Sequence, residues 1–174
     1  MARIPFRRSV AVPADVLAAA SLPRGDKVLA GCRTRDGRWL LGTRDGLLLP
    51  DGEGQVRIPW QQVERADWDR DEDRLRVLGV GRFGEVRPEF TYPIDDPGLL
   101  LELVRERVTA SVVLQRHVPV HGKRGLFVIA RRAPRGGGEI TWAYEFETGV
   151  DPDDPEVMAA AERGLAAAAG ELGL

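Results

Sequence analysis

The chain has 174 residues, with 25 basic and 27 acidic side chains, and its net charge at neutral pH is −2. This length suits one medium domain or two small ones, and the hydrophobic fraction of 43% is ordinary for a globular protein. The charge balance excludes a strong overall attraction to nucleic acid or anionic membranes, and the single cysteine excludes an intramolecular disulfide and a thiolate zinc site.

The N-terminal residues 1–26 are predicted to form an arm with a short helix. A basic pair beginning at Arg7 precedes an alanine-rich stretch that imitates a signal peptide, but Pro13 and Asp15 interrupt its apolar region. Pro13 followed by residues 15–20 is more typical of a helix start. We therefore expect a cytoplasmic protein with no integral membrane segment.

Short apolar segments separated by turn residues predict a run of strands in the next part of the chain. Asp36-Gly37 and Asp45-Gly46 are predicted turns, the first of a kind that accepts positive φ. Cys32 lies in an apolar strand and is predicted to be a small buried hydrophobe. Seven short strands at this spacing are typical of an antiparallel sandwich or barrel. The predicted strands are 27–34, 39–43, 47–49, 56–60, 63–68, 75–80 and 89–94.

Acidic residues followed by proline predict two helix starts, near Pro97 and near Pro155. Apolar stripes at helical spacing extend them into helices over 97–110 and 154–170. Between the helices we predict three further strands, 112–120, 125–132 and 141–147. In the last strand apolar and polar residues alternate strictly, which indicates a half-buried antiparallel strand with Trp142, Tyr144 and Phe146 on one face.

One passage of the strand-rich segment supports a resemblance to a known family. It reads Gly46-Leu47-Leu48-Leu49-Pro50, then Ile58-Pro59-Trp60-Gln61-Gln62-Val63, then Trp68-Asp69 and Leu75-Arg76-Val77. From Lys27 to about Ala110, the chain resembles the bacterial pleckstrin-homology-like (PH/GRAM-like) domains, and the whole chain is similar to a group of actinobacterial proteins built on the same plan. The resemblance implies a small β-barrel capped by a helix and a binding or scaffolding role.

The resemblance also implies where a phosphoinositide headgroup would bind, at the first strand pair. The basic residues there are Arg33, Arg35, Arg38 and Arg44. Asp36 and Asp45 are interleaved with them and the usual lysines are missing, which weighs against a headgroup site.

The predicted fold is thus α+β, in three parts. An arm covers 1–26, a PH-like antiparallel β-barrel with its capping helix covers 27–111, and a three-stranded antiparallel sheet with a C-terminal helix covers 112–174 and packs on the barrel. The predicted core residues are Trp39, Trp60, Phe127, Trp142, Tyr144, Phe146 and the leucines around Leu48.

Three motifs that would indicate a ligand fail on their context. Gly79 to Gly84 matches a dinucleotide-binding pattern, but the residues that follow cannot start the required helix. Asp67 to Asp73 begins like a calcium loop, but lacks the glycine at position six and the glutamate at position twelve. His117 and His121 are four apart on a strand broken by Pro119, without the intervening glutamate of a helical zinc motif and with no cysteine nearby. No serine lies in a nucleophile elbow. We therefore predict no catalytic, cofactor-binding or metal-binding residues.

Charge is distributed unevenly in the C-terminal part. Between Arg116 and Arg135 every charged side chain is basic, and acidic residues follow from Glu145 to Glu156. Either the two blocks neutralise each other across adjacent strands, or the hairpin 116–135 forms an anion-binding face. The candidate residues for that face are Arg116, Lys123, Arg124, Arg131, Arg132 and Arg135.

Three hypotheses for function follow from these patterns, of which an enzyme with an unrecognised site ranks last. The first is a non-enzymatic interaction or scaffolding module that binds protein, including a second copy of itself, through a sheet edge or an apolar patch. The second is anion or nucleic-acid binding through the hairpin 116–135. The order helix, three strands, helix also occurs in double-stranded-RNA-binding domains, but the acidic start of the last helix at Asp153 would repel phosphate, which weighs against nucleic acid.

Overall fold

A computed structural model describes residues 11–81 and 86–174 of the chain. Within them lie three α-helices and ten strands in three separate antiparallel sheets, which confirms a mixed α+β fold. In chain order the elements are α1 (Ala14–Ala19), β1 (Val28–Arg33), β2 (Trp39–Thr43), β3 (Gly46–Asp51), β4 (Gly54–Pro59), a 3-10 helix (Trp60–Gln62), β5 (Val63–Asp69), β6 (Arg74–Gly79), β7 (Glu89–Pro93), α2 (Gly98–Ser111), β8 (Val112–His121), β9 (Arg124–Arg131), β10 (Thr141–Phe146) and α3 (Pro155–Glu171).

The first seven strands form two meanders, because within each sheet every strand pairs with the next one along the chain. The first sheet has the order β1-β2-β3-β4 and the second β5-β6-β7. Gly37 adopts the positive φ, 90°, that was expected of the first turn. The second turn is held by Thr43, whose hydroxyl oxygen accepts hydrogen bonds from the backbone N–H groups of Asp45 and Gly46 at 3.2 and 3.0 Å.

The two meanders share one apolar core with α2. Leu40, Leu47, Val77 and Leu100 are almost wholly buried in it. Gly42 lets α2 approach closely, because a β-carbon at this position would lie 2.6 Å from a Leu103 methyl carbon. The predicted helix 97–110 is therefore present, displaced by one residue, and it covers the core as expected.

Trp60 does not continue the predicted strand 56–60. Strand β4 ends at Pro59 and Trp60 begins the 3-10 helix. Its indole is fully buried, and the indole N–H donates to the carbonyl oxygen of Thr43 at 3.1 Å. That single hydrogen bond satisfies the only polar atom of the side chain, so the indole can be buried without an unpaired donor. The chain leaves the strand at this residue, and the ring lies in the core.

The described strands do not close into the barrel that was expected. The first two sheets meet at one corner, where the backbone N–H of Arg35 donates to the carbonyl oxygen of Pro93 at 2.9 Å. The strands of the first sheet and those of the second form separate hydrogen-bonded sheets. The carbonyl oxygen of Val63, at the start of β5, accepts a hydrogen bond from the Arg131 side chain of the C-terminal part.

The C-terminal part is a sheet in the order β10-β9-β8, with α3 packed on one face over β8 and β9. The predicted helix start is confirmed: Asp154 caps the helix by accepting from the backbone N–H of Glu156 at 2.8 Å, and proline occupies the first turn. Gly164 allows the close packing, since a β-carbon there would lie 2.5 Å from a methyl carbon of Val118.

The predicted core is only partly correct. Trp60 and Leu48 are buried, and so is Cys32, at 2% exposure. The remaining aromatic candidates are only half-buried: Trp39, Phe127, Trp142, Tyr144 and Phe146. The last three lie on the edge strand β10 and pack against the core beside α3. On β10 the buried side chain is that of Ala143, on the face opposite the aromatic rings. No described helix combines the length and apolar composition needed to cross a membrane.

Candidate functional site

The six basic residues of the hairpin 116–135 do not share one face. Arg131 is only 6% exposed and donates to the carbonyl oxygen of Val63 at 2.7 Å. Arg116 forms an ion pair with Glu171, at the end of α3. The other four candidates are exposed: Lys123, Arg124, Arg132 and Arg135. Of these, Arg135 forms an ion pair with Asp45 at 3.2 Å.

Arg131 belongs to a cluster that fixes the C-terminal sheet to the second meander. Its burial lowers the pKa of the guanidinium, while Glu64 and Glu145 act in the opposite direction. Next to it Arg87 donates to both carboxylate oxygens of Glu64, at 2.8 and 2.7 Å, and to the carbonyl oxygen of Tyr144 at 2.9 Å. These hydrogen bonds join residues far apart in the sequence, so they orient the C-terminal sheet on its support.

The basic residues of the first strand pair are also engaged within the chain. Arg35 bridges Asp73 and Asp95, at 2.5 and 2.6 Å. Arg38 is paired with Asp36 at 2.7 Å, and hydrogen bonds from Arg38 and from the Thr34 hydroxyl lower the pKa of Asp36 to about 2. Two of the cations that the family resemblance would assign to a phosphoinositide therefore already have carboxylate partners.

Residues of the two rejected metal motifs are engaged by other groups of the protein. Asp69 accepts the backbone N–H groups of Asp71 and Glu72 at the β5–β6 hairpin tip, at 2.9 and 3.2 Å. His117 contacts Glu147 at 3.1 Å, and bonds from His117 and the Gly125 backbone lower the pKa of that carboxyl. The described residues contain no group of three or more histidine, cysteine, aspartate or glutamate side chains placed to hold a metal ion. The residues Arg82 to Glu85, which include part of the Gly79 to Gly84 pattern, lie outside the described ranges.

The outer edge of β8 is the most extended open backbone surface in this part of the molecule. This strand has ten residues and pairs only with β9. The N–H and C=O groups of Gly125 point away from β8, because Gly125 bonds to Glu147 on the β10 side. Hydrogen-bonded and non-bonded pairs alternate in an antiparallel ladder. Since Pro119 stands opposite Gly125, the backbone groups of Pro119, His117 and Gln115 face outward.

No described residue hydrogen-bonds to these outward backbone groups of β8. Two other edges carry a contact to an outward backbone group. On β10 the outward carbonyl of Tyr144 accepts from Arg87, and on β7 the carbonyl of Pro93 accepts from the Arg35 backbone. The β8 edge thus offers an additional strand the N–H and C=O groups of Gln115 and His117 and the carbonyl of Pro119, which has no N–H.

Sequence reasoning located the strand β8 but not its position at the edge of a sheet. Pro119 was a usable signal, because proline inside a strand is confined to edges and bulges. The roles of Arg87 and Glu64 had no such signal, since their partners are distant in the sequence.

No protein-family model matches this chain, and no curated protein or solved structure matches it at a significant level.

Proposed function

We propose that the chain is a non-enzymatic interaction module that docks a protein strand along the outer edge of β8. The observation that carries this proposal is the ten-residue edge on which Gln115, His117 and Pro119 present backbone groups with no described partner. An extended segment of another protein would add to the sheet there, gaining main-chain hydrogen bonds for affinity. The alternating side chains of β8 would give specificity.

We further propose that residues 27–111 are a PH-like scaffold for this edge. A four-stranded meander, a three-stranded meander and one helix that covers their common core support this assignment. The Arg131 and Arg87 contacts hold the C-terminal sheet on this scaffold, so its edge is presented by a rigid support. Rigid presentation reduces the entropy lost when a partner binds.

Protein is a better ligand than an anion for this geometry. A phosphate-binding hairpin needs several cations that converge on one point, whereas Arg131 is buried against Val63 and Arg116 is paired with Glu171. The β8 edge, in contrast, offers donors and acceptors in the regular spacing of a strand.

The test is affinity capture from a lysate of the native host with two variants of one residue. Gln115→Pro removes an outward N–H and puts the proline ring where an added strand would lie, whereas the β8–β9 hydrogen bonds are kept. Gln115→Ala keeps the N–H and removes only the side chain. We expect partners captured by the wild type to be lost with Gln115→Pro and kept with Gln115→Ala. Equal capture by all three proteins would contradict the docking edge.

A further inference from the structure

We infer that the strand added at this edge is β8 of a second copy, so that two chains form one continuous six-stranded sheet across a two-fold axis. This inference rests on the proposed docking edge and adds the identity of the occupant. Two observations support it: β8 is self-complementary in one antiparallel register, and α3 accompanies it along the edge.

The register follows from which backbone groups point outward. In a two-fold antiparallel pair of β8 strands, residues whose backbone groups point outward must lie opposite one another, so the axis passes through a pair of identical residues. Near the middle of β8 that residue is Arg116, His117 or Val118. A centre at Arg116 would put two guanidinium groups directly opposite each other, which destabilises a strand pair. A centre at Val118 shortens the overlap of the two strands to residues 115–121. The centre at His117 is therefore favoured.

The register centred on His117 matches side chains on both faces. On the face that packs against α3, Leu114 lies opposite Val120 of the other copy, and Arg116 lies opposite Val118 of the other copy. Leu114, Val118 and Val120 are half-buried beside the α3 core in one chain, so pairing extends that core across the axis. On the other face the exposed Gln115 lies opposite Pro119 of the second copy. Because proline has no N–H, each of these two pairs forms one hydrogen bond, from the Gln115 N–H to the Pro119 carbonyl oxygen, whereas the His117 pair on the axis forms two.

Helix α3 supplies the remaining contact area. A stable interface buries about 1,200 Å² or more, which is more than a strand edge alone provides. Helix α3 contacts both β8 and β9, and its second half exposes only small or terminal residues, namely Ala166, Ala167, Gly170 and Glu171. Two α3 helices on the same side of the joined sheet are therefore able to approach closely.

Sedimentation equilibrium tests the oligomeric state directly. We expect the wild type and Gln115→Ala to have about twice the 19.1 kDa mass of one chain, and Gln115→Pro to have the mass of one chain. A wild type that remains a single chain up to about 100 μM, a hundredfold above a micromolar Kd, would overturn the inference. A Gln115→Pro variant as dimeric as the wild type would also overturn it.

A crosslink tests the register and does not depend on the proline variant. On the axis, two copies of residue 117 would have α-carbons about 5.5 Å apart, within the range that a disulfide spans. We expect His117→Cys to form a covalent dimer on mild oxidation. Gln55→Cys, on the exposed strand β4, is the matched control and should remain uncrosslinked. The native Cys32 is buried and adds no background. No crosslink at residue 117, or equal crosslinking at residue 55, would refute the register.

The two proposals fail in different ways. If the wild type is a single chain but loses its host partners on Gln115→Pro, the docking edge stands and the second copy is wrong. If the wild type is a dimer that Gln115→Pro leaves intact, dimerisation uses another surface.

Discussion

Replacement of Gly164 by alanine tests whether α3 is held against β8 and β9 as closely as the structure shows. An added β-carbon would lie 2.5 Å from a methyl carbon of Val118 and 3.1 Å from one of Val128. Both valines are β-branched and lie in paired strands, so they have little freedom to move away. Overpacking of this kind costs about 1–3 kcal/mol, whereas alanine in place of glycine in a helix contributes up to about 1 kcal/mol.

The matched control is Gly170→Ala in the same helix. No atom lies within 4 Å of a β-carbon added at Gly170, so this variant gains helix propensity without a clash. We expect Gly164→Ala to be less stable than Gly170→Ala by about 1–3 kcal/mol, measured as free energies of urea unfolding at one protein concentration. If the two variants are equally stable, the close contact between α3 and the sheet is wrong.

Three further predictions concern buried groups in the first part of the chain and at its junction with the third sheet. Arg131→Ala should lower the free energy of unfolding, measured by urea titration, by about 1–3 kcal/mol, because the buried carbonyl of Val63 loses its donor. Arg132→Ala, at the exposed neighbour, should change it by about 0.5 kcal/mol or less. Burial, together with a nearby carboxylate, raises the pKa of the Cys32 thiol to about 12. This thiol should therefore react with Ellman's reagent far more slowly in the native than in the denatured protein, and equal rates would contradict its burial. Burial alone would raise the pKa of Asp26. Hydrogen bonds from the Thr43 hydroxyl and the Lys27 backbone, together with the Arg57 guanidinium, outweigh that effect and lower the pKa below 3.8. The resulting stability is complete above that ordinary value and is lost as the pH falls through the lower folded value. Asp26→Asn should therefore reduce the fall of the unfolding free energy as the pH is lowered through the acid range. An equally large reduction in Asp15→Asn, at an exposed site, would argue against this assignment.

Much of the secondary structure was predictable because its signals are local. The strict alternation from Thr141 and the acidic start before Pro155 depend on neighbouring residues, and the structure has a strand and a helix there. Trp60 was assigned wrongly to a strand, because its burial and its hydrogen bond to Thr43 depend on a residue 17 positions away.

The candidate site was predictable only as a list of residues. The basic block from Arg116 to Arg135 is plain in the sequence, but its members are divided between a buried contact, an ion pair and solvent. Proximity along a strand does not place side chains on one face, since neighbouring residues point to opposite sides of the sheet.

The sequence by itself determined which segments are strands and helices, since backbone preference and the period of apolar residues are properties of short stretches. Tertiary structure alone decided which strand lies at an edge and which charges are paired. Arg131 reaches a partner 68 residues away and Arg135 one 90 residues away. Such pairs form only when distant segments pack together, and the order of strands in a sheet is fixed by the same long-range packing. The open edge of β8 is therefore a property of the folded molecule: Pro119 is a local sign of an edge or a bulge, but the packing of distant segments decides which strands lie beside it.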